Sequence, residues 1–171
     1  MKNISIIVAT IFAALAAVTS CESQSAYQTQ LDSARSAINH DDYIAAFAQI
    51  DEIFNGAQLS ANDAISGLQL SLTAYKLSVH SQGQNKDLTT NIDRCKKIAE
   101  YLQKAKLFPQ EEVAQANKVV KDANNGTDII DSTEKLVASL PELEAELSET
   151  LRKAAVNEPN TAATEIPSKT N

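Results

Sequence analysis

The sequence predicts an all-α fold, an irregular antiparallel bundle of helices with no β-sheet, on three observations. Apolar residues recur at spacings of three and four through most of the chain after residue 23, which is the spacing of one face of a helix. No stretch alternates apolar and polar residues for long enough to indicate a half-buried strand. Only four Gly and four Pro interrupt the 171 residues. The pattern therefore predicts long helices joined by short polar turns.

Two helices are predicted on either side of an acidic turn. The first covers about residues 24–39, and Asp41 or Asp42 is placed to cap the free amides of the second. The second helix has an aromatic-rich stripe and stops at Asn55-Gly56. Large aromatic residues of this stripe, with one more from the third helix, are candidates for either the core or the wall of a cleft between helices: Tyr43, Phe47, Phe54 and Tyr75.

The third helix begins near Ser60 and is apolar on two sides, so we expect it to lie between other helices. Gly67 costs about 1 kcal/mol relative to Ala in a helix interior, which predicts that another helix backbone crosses close to it. A fourth helix of about residues 87–106 carries Cys95 on its apolar face. Cys95 is therefore interpreted as a small core residue rather than a nucleophile.

A shorter helix is predicted after Pro109, and a last helical segment over about residues 128–155 carries leucines in near-heptad spacing. Pro141 interrupts this segment and should kink or divide it, because proline removes a helix hydrogen bond. Ser139 and Glu142 have the spacing of a capping box, which favours division. Residues 157–171 are rich in Thr, Asn and Pro and predict a disordered tail, so the helical domain should span residues 24–156.

The N-terminal segment has the layout of a secretory signal, residues 1–20, with Lys2 followed by an apolar run that ends at Val18. This run is shorter than the roughly 20 apolar residues that a membrane-spanning helix needs. The block Val18-Thr19-Ser20-Cys21 resembles the lipobox of bacterial lipoproteins, in which the cysteine receives a diacylglyceryl group and becomes the first residue of the mature chain. The alternative is an ordinary signal peptide that leaves Cys21 as a free thiol.

The lipobox resemblance implies a localisation, the cell envelope. Residues 21–23 would form a lipidated N-terminus and a short tether, so the membrane would be contacted through lipid on Cys21. In the lipoproteins of enteric bacteria, Asp directly after the cysteine resembles a signal for retention in the inner membrane. Glu22 occupies this position here, so the resemblance favours the outer membrane in a cell that has one. The net charge of −7 argues against electrostatic adhesion to an anionic leaflet.

A second resemblance covers about residues 27–57. The stretch INHDDYIAAFAQIDEIFNG, with its tight turn Asp41-Asp42-Tyr43 and the small residue Ala46, is similar to the second half of a tetratricopeptide repeat. This resemblance implies a short tetratricopeptide-like helical array as the alternative to an irregular bundle. No second copy follows at the expected period of about 34 residues.

Few residues suggest reaction chemistry. The sequence has only two histidines, His40 and His80, which we interpret as a turn residue and a cation at a helix C-terminus. Glu142, Glu144 and Glu146 are spaced by two, so on a helix they splay apart and indicate a solvated face rather than a cation site. We expect no enzyme, no cofactor and no metal, and the acidic charge without a basic stripe argues against nucleic acid.

These observations predict a lipid-anchored protein of the cell envelope that acts as a helical interaction or scaffold module with an envelope protein partner. The alternative is a ligand-binding lipoprotein with a cleft between helices, whose wall would contain the four aromatic residues named above.

Overall fold

A computed structural model describes residues 25–157, and this part of the chain contains seven α-helices and no strand. The helices are α1 Gln28–Asn39, α2 Tyr43–Asn55, α3 Ala61–Gln82, α4 Leu88–Ala105, α5 Gln110–Ala123, α6 Ile129–Ala138 and α7 Leu140–Asn157. The predicted all-α bundle is confirmed. The signal, Cys21 and the tether, together with the tail from residue 158 onward, lie outside the described residues.

Short polar side chains mark where four of these helices begin. The carboxylate of Asp42 accepts a hydrogen bond from the amide of Ala45 at 2.9 Å, so Asp42 rather than Asp41 caps α2. Ser60, Asp87 and Asp128 cap α3, α4 and α6 in the same way. Each cap satisfies one of the amides that the first helical turn leaves without a partner.

Helix α3 is the centre of the bundle. It packs against α1, α2, α4, α5 and α6, and most of its residues are buried around its whole circumference. The expectation that it lies between other helices is confirmed. The expectation for Gly67 is wrong in its detail, because the atoms nearest to a Cβ placed there belong to the ring of Phe54, with Cε2 at 2.8 Å. An aromatic side chain of α2, rather than a helix backbone, needs the space that glycine leaves.

The core is one continuous apolar cluster to which helices α1 to α6 contribute buried residues. Cys95 is fully buried in it, with its Sγ atom 3.6 Å from the carbonyl oxygen of Leu136. Burial raises the pKa of the Cys95 thiol, because the thiolate would lose its hydration. Cys95 therefore has the environment of a core residue, as the sequence predicts.

The last helical segment is divided rather than kinked. Helix α6 ends at Ala138 and α7 begins at Leu140, which makes Pro141 the second residue of α7. Proline is tolerated there because the first amides of a helix have no partner within it. The capping box does not form, since the Ser139 hydroxyl donates to the carbonyl oxygen of Leu136 at 2.7 Å.

Helix α7 packs on the bundle only through its first half. Glu144 pairs with Lys96 at 2.8 Å and Glu146 with Lys86 at 3.0 Å, which attaches this half to α4 and to the loop before it. Two glutamates of the predicted solvated face therefore reach lysines, although they remain half exposed. From residue 148 to residue 156 every side chain is exposed.

Candidate functional site

The structure places the four candidate aromatic residues at the core and its edge. Phe47, Phe54 and Tyr75 are buried, and Tyr43 is half-buried against the same apolar cluster. None of the four lines the large groove described below.

Long side chains of α4 reach α2 and form what we call the α2–α4 seam: Asp51 and Phe54 on α2, and Lys97, Tyr101 and Lys104 on α4. The rings of Phe54 and Tyr101 are stacked, with centroids 4.2 Å apart and an interplanar angle of 8°. The Tyr101 hydroxyl donates to Asp51 at 2.5 Å, and Lys97 pairs with the same carboxylate. Lys104 donates to the carbonyl oxygen of Phe54 at 3.0 Å and so satisfies the C-terminal end of α2.

The seam holds its phenol in the protonated state. Burial is the main cause that raises the pKa of Tyr101 far above its ordinary value, and the hydrogen bond to Asp51 adds to it. The neutral Tyr101 side chain can therefore donate its proton to Asp51 while its ring packs on Phe54, and both contacts hold α4 against α2. The sequence interpretation missed Tyr101, although its spacing of three from Ile98 places it on the buried face of α4.

A second aromatic contact lies at the start of α2. The guanidinium of Arg94 lies over the ring of Phe47, 5.4 Å from its centroid, and burial lowers the pKa of Arg94. The Tyr43 hydroxyl donates to Asp41 at 2.7 Å; burial and this hydrogen bond raise the pKa of Tyr43 to about 12. These groups join α2 to α4 rather than surround an open cavity.

The two histidines lie apart from each other on the surface. The Nδ1 atom of His40, at the end of α1, is 2.8 Å from the carbonyl oxygen of Ser36. His80 is exposed in the last turn of α3. Within residues 25–157, no three side chains among His, Cys, Asp and Glu come together in an arrangement that could hold a metal ion.

A groove of about 640 Å³ lies between α5 and α6, and we call it the α5–α6 groove. It is lined by Lys106, Phe108, Gln110, Val113, Ala114, Asn117, Asp128, Ile130, Asp131 and Glu134. The α5 residues recur at spacings of three and four, so one face of α5 forms a wall of the groove. The loop that leads into α5 also carries Leu107, whose side chain is 85% exposed.

The groove lining combines apolar and charged side chains. Phe108, Val113, Ala114 and Ile130 supply the apolar contact area, whereas the charged lining consists of three carboxylates and one ammonium group. Asn117 joins α5 to the start of α6. Its side-chain amide donates to Asp128 at 2.9 Å, and its side-chain carbonyl accepts from the backbone amide of Ile129 at 3.0 Å. An apolar groove between two helices is the form of site that receives an amphipathic helix.

Sequence analysis did not find this groove. The signal that was present is the weak apolar stripe of α5, in which only Ala116 and Val120 become fully buried. A helix with so narrow a buried face leaves apolar side chains available on its flank.

No family model matches the chain, and no curated protein or solved structure is similar enough to count as a match. Among the helices that the structure describes, none has both the length and the apolar character that crossing a membrane requires.

Proposed function

We propose that this protein is a lipid-anchored interaction module of the cell envelope, with the α5–α6 groove as its docking surface. The observation that carries the proposal is the position of Cys21, directly after the apolar run and the small residues Thr19 and Ser20. Two or more acyl chains on this cysteine hold a protein at a membrane stably, whereas one chain does so only reversibly. The proposed role is non-catalytic: the module binds a partner protein and holds it near the membrane.

The surface of the described domain supports a docking role. Helices α5 and α6 contribute Val113 and Ile130 to a groove that polar side chains also line, and protein interfaces likewise combine apolar and polar contacts.

The anchor is tested by Cys21→Ala in the full chain. We expect loss of radiolabelled palmitate and loss of membrane association, with helical content unchanged, because Cys21 precedes the helical domain. Retention of palmitate by the variant would contradict the anchor.

The docking surface is tested by a photo-crosslinking amino acid at Ala114, inside the groove, with Ala48 on the exposed face of α2 as the matched control. In the native envelope, we expect discrete crosslinked protein species from position 114 and none from position 48. Equal crosslinking from both positions would show that the groove has no special role.

The volume of the groove favours one alternative, a ligand-binding lipoprotein. Small-molecule sites occupy about 300–1,000 Å³ and combine apolar walls with a few polar groups, and the groove meets this description. Native mass spectrometry of the purified protein distinguishes the two functions, because a retained small molecule adds a fixed mass that Val113→Asp should abolish.

A further inference from the structure

We infer that the end of the bundle at which the described chain begins lies against the membrane, with Leu107 in contact with the lipid surface. The inference rests on the proposed function, because it takes the lipid on Cys21 from it and adds which surface of the domain meets the bilayer. We call this surface the proximal end, and it consists of residues 25–31, 53–62 and 107–110.

The start of the described chain is attached to helix α3. The Ser25 hydroxyl donates to the carboxylate of Asp63, which also accepts from the hydroxyl of Ser60 at 2.6 Å. Asp63 is only 2% exposed, so its hydrogen bonds are shielded from water. Tyr27 adds a second attachment, because its hydroxyl accepts from the backbone amide of Gln58 at 3.1 Å. The chain is therefore fixed to the domain from Ser25 onward.

This attachment leaves only a short tether to the lipid. Cys21 and Ser25 are four positions apart, so their α-carbons can be separated by no more than about 14 Å. Helix α3, whose first turn holds Ser25 through Asp63, has 22 residues and is about 33 Å long, more than twice the reach of the tether. Lipid on Cys21 would therefore confine the proximal end to the membrane, whereas the other end of α3 lies beyond that reach.

Leu107 lies at the same end of the bundle as the start of the chain. Lys104, three residues before it, donates to the side-chain oxygen of Asn55 at 2.9 Å. Asn55 is the last residue of α2, and the Tyr27 side chain fills the space beside Gly56, the next residue. The end of α4, the end of α2 and the start of the chain are thus neighbours.

The proximal end is free of formal charge. None of its residues is Asp, Glu, Lys or Arg, although these four types make up 22% of the chain. On its border, Lys106 is paired with Glu134, and Glu111 and Glu112 follow in the first turn of α5. An acidic chain can therefore approach a bilayer through these segments without placing their side chains as charges among anionic headgroups.

Exposed apolar side chains occupy all three segments of the proximal end. Leu107 is 85% exposed, and Ala26 and Ala57 are exposed on the other two segments. The lipid boundary offers Leu107 the apolar surroundings that it lacks in water. One leucine binds a bilayer weakly, but a short tether makes the contact intramolecular and raises its effective concentration.

Fluorescence quenching by lipid tests the contact. The lipidated protein carries a fluorophore at Leu107→Cys or Ile44→Cys, in vesicles of phosphatidylcholine and phosphatidylglycerol with a nitroxide-labelled lipid. Ile44 is the matched control, since it is 78% exposed but lies at the start of α2, away from the proximal end. Cys95 is fully buried and is not labelled. We expect quenching about twofold stronger, or more, at position 107 than at position 44, because the tether confines the proximal end.

A longer tether should weaken the contact. Insertion of about 20 Gly and Ser residues after Ser23 adds a mean span of about 25 Å, so the domain can leave the bilayer while its lipid remains inserted. We expect quenching at position 107 to fall to the value at position 44. Unchanged quenching at position 107 would refute the role of the short tether.

The remaining outcomes separate this inference from the proposed function. A protein that carries no acyl chain and does not float with the vesicles would refute the anchor and the inference together. A protein that floats but is quenched equally, or not at all, at the two positions would refute the inference and leave the anchor intact. A photo-crosslinking amino acid at position 107 that captures a protein instead of lipid in the native envelope would overturn the lipid contact in favour of a protein partner.

Discussion

At the scale of single residues, the structure depends on a close fit between Gly67 and the ring of Phe54. Gly67→Ala adds a methyl group where Cε2 of that ring already lies 2.8 Å away. Overpacking costs about 1–3 kcal/mol and exceeds the gain of about 1 kcal/mol that alanine brings to a helix. We expect a lower free energy of unfolding in urea, and a smaller penalty for the same substitution in a Phe54→Leu background. A more stable Gly67→Ala protein would refute this fit.

Tyr101 gives the stability a dependence on alkaline pH. The pKa of Tyr101 is raised in the folded state, so above pH 10 the unfolded phenol loses its proton while the folded one keeps it. Folding is then opposed by up to about 1.4 kcal/mol per pH unit, a loss that begins near the unfolded pKa and ends at the folded one. Tyr101→Phe cannot titrate, although it loses the hydrogen bond to Asp51 at neutral pH.

We therefore expect the stability difference between the wild type and Tyr101→Phe to be largest near pH 8 and to narrow from pH 10 to pH 11. Urea unfolding at each pH measures it. All other ionisable groups are shared by the two proteins, so their titration largely cancels. A stability difference that stays constant from pH 8 to pH 11 would mean that the pKa of Tyr101 is the same in the folded and unfolded states.

At the scale of helices and turns, the end of α3 is joined to the start of α4 by a pair of carboxamides. The Oε1 atom of Gln82 accepts from the amide of Asp87 and from Nδ2 of Asn91, both at 2.9 Å, and its Nε2 donates to Asn91 at 3.0 Å. Because Asn91 is only 2% exposed, Asn91→Ala should cost about 1–3 kcal/mol in chemical denaturation. Thr89→Ala, exposed on the same helix, should change stability by less than about 0.5 kcal/mol. Equal effects would show that the pair contributes nothing.

Helices and their boundaries were largely predictable, because capping and periodicity are local. The start of α3 at Ser60, the turn at Asp42 and the break near Pro141 all follow from neighbours a few positions away. Partners across the bundle were not predictable. Periodicity shows that Gly67 and Cys95 face inward, but not that the first meets Phe54 or that the second meets Leu136.

The candidate site was less predictable than the fold. Val113 and Ile130 are 17 positions apart on different helices, and their common groove depends on how α5 and α6 approach each other. The aromatic residues that drew attention in the sequence are large and apolar, which is also the reason that the core takes up Phe47, Phe54 and Tyr75.

At the scale of the whole molecule, protection from solvent should decrease from α3 outward. Amides of α3 should exchange hydrogen most slowly, because its neighbours cover it on all sides, whereas amides of residues 148–156 should exchange fastest. Hydrogen exchange with mass spectrometry measures this order at low protein concentration. Slow exchange of the α7 end under those dilute conditions would contradict its lack of contacts.

The central position of α3 also governs how the fold is acquired as the chain is synthesised. Helices α1 and α2 cover only part of α3, and the remainder is covered by helices that lie later in the chain. A nascent chain that has emerged only as far as Gln82 therefore presents a long apolar surface that nothing yet covers. We therefore expect a chain that lacks α4 and α5 to be prone to aggregate, because transiently exposed apolar surface associates between molecules.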